Sequence, residues 1–126
     1  MKHAGLIIYG VEGRLADTLA QWAAQRGLSV RPVRFTKACW SLVRRNPAAL
    51  VVLKIGRDLE KELTLLERLT TLYPETPCVV VSDVANPDLA GLCWDLGARY
   101  VLFPPRPLEQ LPAMLEGFFP STGRLP

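Results

Sequence analysis

Hydrophobic positions fall into two patterns that alternate along the chain. Leu6-Ile7-Ile8-Tyr9 is a short unbroken apolar run closed by Gly10, and continuous apolarity marks a strand covered on both faces. Residues 12–26 follow with Leu15, Leu19, Trp22 and Ala23 at helical spacing, and Gly27 predicts the stop. Leu28–Arg34 alternates, with Val30 and Val33 among arginines, which predicts a strand with a solvated edge. Its Pro32 has no N–H for a ladder and favours the edge position too. Thr36 is the candidate N-cap of a helix over 37–45, with Cys39, Leu42 and Val43 inward and Pro47 after it. Ala49–Leu53 is a third, plainly buried strand.

A long helix is predicted over Leu59–Tyr73, its stripe made of Leu59, Leu63, Leu66, Leu69 and Leu72, and Pro74 and Pro77 bracket the next turn. Cys78–Val81 reads as strand four. Asn86-Pro87, an N-cap followed by proline at the first helical position, opens a helix to Leu96 that Gly97 closes. Tyr100–Phe103 reads as strand five. Pro104, Pro105 and Pro107 make a stiff turn before a last helix from Leu108 to Phe119. Strands and helices in strict alternation predict an α/β fold, (βα)5, with a parallel sheet, right-handed crossovers and helices on both faces. Five strands in this length suit the flavodoxin-like three-layer sandwich with strand order 2-1-3-4-5. The edge character of strand two agrees with that order. Residues 1–119 are expected to be the folded domain. Residues 120–126, with Arg124, lack periodicity and read as a flexible tail or the start of a linker.

Composition narrows the class. A length of 126 residues is one domain's worth, since domains run to ~100–150 residues. Hydrophobic residues at 49% and charged residues at 21% argue for a packed core rather than disorder. The cysteines, Cys39, Cys78 and Cys93, are odd in number, far apart and embedded in apolar runs, which predicts buried thiols rather than disulfides or a metal knuckle. The apolar stretch after Met1-Lys2-His3 is too short for a signal peptide, and no run approaches a membrane span, so a cytoplasmic location is expected. His3 is the only histidine, which leaves a Ser-His-Asp or Cys-His arrangement without a base. Gly10-Val11-Glu12-Gly13 resembles a phosphate-cradling loop but lacks G-x-G-x-x-G and the P-loop lysine, so the glycines read as turn residues.

From Leu6 to Phe119 the chain resembles the receiver domain of bacterial response regulators. The resemblance rests on Leu15–Gly27, Ala49–Leu53, Pro77–Ser82 and Gly97–Pro104, in order and at compatible spacing. It implies an aspartyl phosphorylation site of five cooperating members. An aspartate at the end of strand three is the phosphoacceptor, and two acidic residues after strand one hold Mg²⁺. A lysine before a cis-proline after strand five pairs with the phosphoryl group, and a hydroxyl ends strand four. Here the acceptor position falls on Lys54, the acidic positions on Gly10 and Val11, and the lysine position on Phe103. Ser82 alone is retained, and Tyr100 stands at the switch aromatic. A shift of one residue could bring Glu12 toward the metal position, but residues 49–57 contain no aspartate. An ammonium cannot form an acyl phosphate and repels Mg²⁺. The expectation is therefore a pseudo-receiver without cofactor, metal or enzymatic activity.

Lys54 has two readings, an ion-pair donor toward Asp83 or a solvated strand-end lysine. Ser82 reads as a hydroxyl satisfied by backbone or as a switch, and Tyr100 as a packed aromatic or a rotamer switch. What remains is surface. Trp40 and Trp94 lie off the apolar stripes. The resemblance implies a contact face of helix four, strand five and helix five, here Trp94, Arg99, Val101, Arg106, Phe118 and Phe119. That face is a candidate for homodimer or partner contact, with a protein partner or effector domain expected. The alternatives are a small flavodoxin-like nucleotide- or anion-binding protein, or weak nucleic-acid contact through the basic half.

The mild net charge of +3 hides a split. Residues 1–57 hold ten Lys/Arg and two Asp/Glu, a net +8, and residues 58–126 hold five and ten, a net −5. Arg14, Arg31, Arg34, Lys37, Arg44 and Arg45 are thus a candidate basic surface able to steer an acidic partner.

Overall fold

Strands β1 (Gly5–Tyr9), β2 (Ser29–Val33), β3 (Leu50–Lys54), β4 (Cys78–Val81) and β5 (Tyr100–Leu102) pair in parallel in the order β2-β1-β3-β4-β5 in the computed structural model, which describes residues 5–119. The (βα)5 flavodoxin-like topology read from the sequence is the observed one. His3 and the tail 120–126, including Arg124, lie outside the described residues. Register brings the apolar runs into line: Leu6 lies between Val30 and Leu50, Leu53 between Tyr9 and Val80, and Val80 beside Val101. β2 is an edge strand, with Arg31 and Pro32 exposed.

Alternate residues of each strand serve opposite faces. Ile7, Val51, Leu53, Val80 and Val101 meet α2 (Thr36–Arg45), α3 (Leu59–Leu72) and α4 (Pro87–Asp95) through Cys39, Val43, Leu66, Leu69 and Cys93. Leu6, Ile8, Val52, Val79 and Leu102 meet α1 (Gly13–Gln25) and α5 (Leu111–Leu115) through Leu19, Ala23, Leu111 and Leu115. Asn86 Oδ1 accepts the Leu89 N–H at 3.0 Å, the cap predicted for α4. Gly97 has φ +105°, and a Cβ there would come within 2.7 Å of Thr70 on α3, so this stop needs glycine for both space and conformation.

Three local expectations change. α2 starts one residue early: Thr36 is its first residue and Phe35 its N-cap, with no side-chain cap bond. α3 buries Glu62, Leu65, Leu66 and Leu69, whereas Leu59 and Leu72 stand exposed. Successive steps of three residues rotate the leucine stripe by about 60° each, so its ends leave the face that meets the sheet. The last helix is broken into a 3₁₀ turn at Leu108–Gln110, α5, and a second 3₁₀ turn at Glu116–Phe118. Pro112 has no N–H to extend an α-helix upstream and sits near the start of α5 instead.

All three cysteines are free and buried. Burial raises the Cys39 thiol from the ordinary 9.0 to about 12 and Cys93 to about 11, and raises Cys78 as well. The folded state therefore keeps protons that the unfolded chain loses. This contribution to stability is complete below about pH 9 and is lost as pH rises toward the folded values. Thiol titration with Ellman's reagent near neutral pH is expected to find no fast-reacting cysteine in the native protein and all three in denaturant. A rapidly labelled native thiol would contradict the burial. No helix among the described residues is long and apolar enough to cross a membrane.

Candidate functional site

In an open parallel sheet, ligands gather at the carboxyl ends of strands where the chain order reverses. Here that point lies between β1 and β3, and a cleft of about 610 Å³ opens over it. Tyr9, Gly10, Lys54 and Ser82 line it from the strand ends, and Arg34, Phe35, Arg57 and Glu62 from the segments beside them.

Gly10 turns the chain out of β1 with φ +73°, its N–H donating to the Val33 carbonyl at 3.2 Å. A Cβ there would approach the Lys54 carbonyl to 3.3 Å, so a bulkier residue is strained on two counts. Val11 is buried against α1 and α5. Neither side chain offers an oxygen for a cation. Glu12 is exposed, and its carboxylate reaches the Arg34 and Arg57 guanidiniums at 3.5 and 3.6 Å. Among the described residues no cluster of three or more His, Cys, Asp or Glu is placed to hold a metal.

At the end of β3, Lys54 Nζ lies 2.7 Å from Asp83 Oδ2. The register explains the meeting: Lys54 pairs with Val81 of β4, and Asp83 follows two residues later. Of the two readings of Lys54, the structure has the ion pair. The buried Ser82 hydroxyl accepts the Val84 N–H at 3.1 Å and lies 3.3 Å from the Val84 carbonyl, so it is satisfied by backbone. Burial, and after it the nearby Glu62 carboxylate, hold the Tyr9 phenol above its ordinary 10.0, so it stays neutral at physiological pH.

Phe103 is buried in the core on the α4 side. The cis peptide bond of the following turn joins Pro104 and Pro105, one residue later than the resemblance implies. Tyr100 packs edge-on against Trp94 at 5.7 Å, with the Arg106 guanidinium 5.2 Å over its ring and Arg106 Nη2 donating to its hydroxyl at 2.6 Å. It is a packed aromatic at the β5 edge.

The spacing missed Glu62. Its side chain is only 3% exposed and accepts the Gly56 and Asp58 N–H groups at 2.8 and 3.0 Å, tying the β3–α3 turn to the first turn of α3. The available signal was a carboxylate placed three and four residues before Leu65 and Leu66, on the face that becomes buried.

The expected contact face is only partly surface. Trp94, Arg99 and Arg106 are exposed, but Val101 is buried between β5 and α4, because its strand parity turns it inward. Phe118 and Phe119 are half-buried and close on their own chain rather than reaching outward. Phe119 stacks on Trp22 at 6.0 Å, Trp22 Nε1 donates to Glu116 at 2.9 Å, and Arg26 pairs with Glu116 at 2.7 Å. Trp40 leans on Tyr73 at 6.0 Å. Arg14, Arg31, Arg34, Lys37, Arg44 and Arg45 are all exposed, as a basic surface requires.

No protein-family model matches the sequence, and no curated protein matches it. Solved structures do match. A response regulator from Thermotoga maritima superposes with TM-score 0.75 at 20% identity, over 91% of this chain and 97% of that one. The signal receiver domain of a putative Luxo repressor protein from Vibrio parahaemolyticus gives 0.75 at 14% identity, over 94% and 90%. A CheY-like protein, tadZ, from Pseudomonas aeruginosa gives 0.72 at 17%, over 90% and 98%. The chain has the fold of the receiver domains of response regulators.

Proposed function

We propose that the chain is a receiver-like regulatory module of bacterial signal transduction that works by binding protein partners, without aspartyl phosphorylation. The observation that carries this reading is the 2.7 Å ion pair between Lys54 Nζ and Asp83 Oδ2 at the end of β3. A phosphoacceptor there must be a carboxylate, and the locus of the phosphoryl group is instead taken by an ammonium held on a neighbouring carboxylate. Short charge-assisted contacts of this kind fix geometry. The pair is partly solvated, so it adds little stability and serves to hold β3 and β4 in one arrangement. The rest of the site agrees. Glycine and a buried valine follow β1, Phe103 is turned into the core, and Ser82 is engaged by its own turn. With no carboxylate at the end of β3 to accept a phosphoryl group, and no group of three metal-ligating side chains among the described residues, the site lacks the parts of a phosphorylation switch. Surface contact is what is left for regulation, and Trp94 with Arg99 and Arg106 remains the candidate face for a partner or a second copy.

The test is intact mass spectrometry after incubation with acetyl phosphate and Mg²⁺, beside intrinsic fluorescence with beryllofluoride. No mass change and no fluorescence change are expected. A phosphoryl adduct would overturn the reading.

A further inference from the structure

Between Gly27 and Arg57 the chain carries seven Lys or Arg residues and no Asp or Glu. Folded, this stretch forms edge strand β2, helix α2 and, beyond β1, the central strand β3. Four of its cations share one surface. Lys37 and Arg44 are about two turns apart on the exposed stripe of α2, with Arg45 beside them. Arg31 has the strand parity of Val33, which packs in the core under α2, so Arg31 lies on the same side of the sheet. No ion pair among the described residues engages any of these four.

The surface runs upward into the cleft over β1 and β3. There the largest apolar exposures near the site occur: Phe35 at 73% and Val84 at 66%, both lining the cleft. Arg34 and Arg57 stand beside them and share the single carboxylate of Glu12 at 3.5 and 3.6 Å, so one negative charge faces two positive ones.

We infer that the cleft and the outer face of α2 together dock an acidic segment of a partner protein. An apolar side chain of the segment seats against Phe35, and its carboxylates lie over Arg34, Arg57 and the α2 cations. This rests on the reading of the chain as a protein-interaction module and names the surface and the chemistry of its partner. An apolar centre with an arginine rim is the anatomy of a protein interface. Addition of a partner strand to β2 is disfavoured, because Pro32 sits within the edge strand and has no N–H for a new ladder. A nucleic-acid backbone is disfavoured for a different reason. A duplex presents an unbroken charged backbone and no apolar side chain to the exposed Phe35 and Val84 that line the cleft. A protein segment places its apolar group there and keeps its carboxylates at the rim.

The experiment uses fluorescence anisotropy with three probes: a labelled synthetic peptide of glutamates flanking a central phenylalanine, its glutamine counterpart, and a short DNA duplex. The glutamate peptide is expected to bind saturably and to weaken as salt is raised. The glutamine peptide, and the Arg44→Glu/Arg45→Glu variant with the glutamate peptide, are each expected to bind about tenfold more weakly. Phe35→Ala is expected to lose about fivefold or more. Circular dichroism checks that the variants, all at exposed positions, remain folded. Absence of saturable binding, equal binding of the two peptides, unchanged affinity in the variants, or tighter binding of the duplex would overturn the inference. The phosphorylation test is independent. An adduct there leaves the peptide result standing, and absent peptide binding leaves the mass result standing.

Discussion

Glu62→Ala is expected to lower stability by about 1–3 kcal/mol, because two backbone donors lose a buried charged acceptor at once. For a domain of this size that is roughly 4–12 °C in melting temperature. The carboxylate is 3% exposed and spans the turn, one oxygen on the Gly56 N–H at 2.8 Å and the other on the Asp58 N–H at 3.0 Å. Those amides lie just before and at the cap of α3, where a helix has no backbone acceptors of its own to offer. Alanine removes both acceptors and admits no compensating group. Glutamine keeps one carbonyl oxygen but turns an NH₂ toward the other donor, so it is expected to fall between wild type and alanine. Thermal melts of the three proteins check the order. Hydrogen exchange at Gly56 and Asp58 checks the cause, with faster exchange expected in both variants. An alanine variant that melts within a degree or so of wild type would show that the cap is replaceable. The turn also carries Arg57 to the cleft rim, so loss of the cap loosens a residue of the proposed docking surface.

The strands were legible because burial on both faces leaves an unmistakable mark, a run such as Leu50–Leu53 with no polar residue. Four such runs and one alternating strand, placed at the edge by its arginines and Pro32, suit the order 2-1-3-4-5 with right-handed crossovers. The Lys54–Asp83 pair was one of the two readings open for Lys54, and the register decides between them. Once β3 and β4 are neighbours, residues just beyond their ends must meet. Helix faces were less legible. Leucine is apolar wherever it stands, so the stripe through Leu59 and Leu72 could not be told from the true face, and a buried glutamate within that face looks like an error in the pattern. Contacts between distant segments were not legible at all. Trp22 and Glu116 are 94 positions apart and meet only because α1 and the 3₁₀ turn at Glu116–Phe118 lie on the same side of the sheet. Nothing local to Phe118-Phe119 distinguishes a residue that closes on its own α1 from one that waits for a partner. Val101 was placed on a contact face by the resemblance, but β5 is covered on the side that Val101 faces.

The charge split reads differently once the fold is known. The acidic residues near the cleft are mostly occupied: Glu62 by backbone, Asp83 by Lys54, Glu12 by two arginines. The basic residues of β2 and α2 have no such engagements among the described residues. The imbalance of the first half is thus concentrated at one edge of the sheet rather than spread over the molecule.

Leu66→Ala and Leu72→Ala separate the two possible faces of α3. Both residues belong to the stripe the spacing suggested, so a helix with that stripe buried would lose comparable stability from either change. In the structure Leu66 is fully buried in the core on the α2–α3–α4 side of the sheet, whereas Leu72 is 62% exposed at the helix end. Leu66→Ala therefore removes three carbons from a packed core and leaves a cavity, an expected loss of about 3–4 kcal/mol. Leu72→Ala removes atoms that already face water, and alanine is at least as good a helix former, so a change within about 0.5 kcal/mol is expected. Urea titration of the two variants reads both values on one scale, and an unchanged slope would show that the denatured states are comparable. Equal losses would mean that α3 is rotated about its axis from the arrangement described. That rotation would also carry Glu62 out of the core and away from the Gly56 and Asp58 amides, so the leucine pair and the glutamate series test the same face from opposite chemistries: one by the loss of apolar contact, the other by the loss of a buried acceptor.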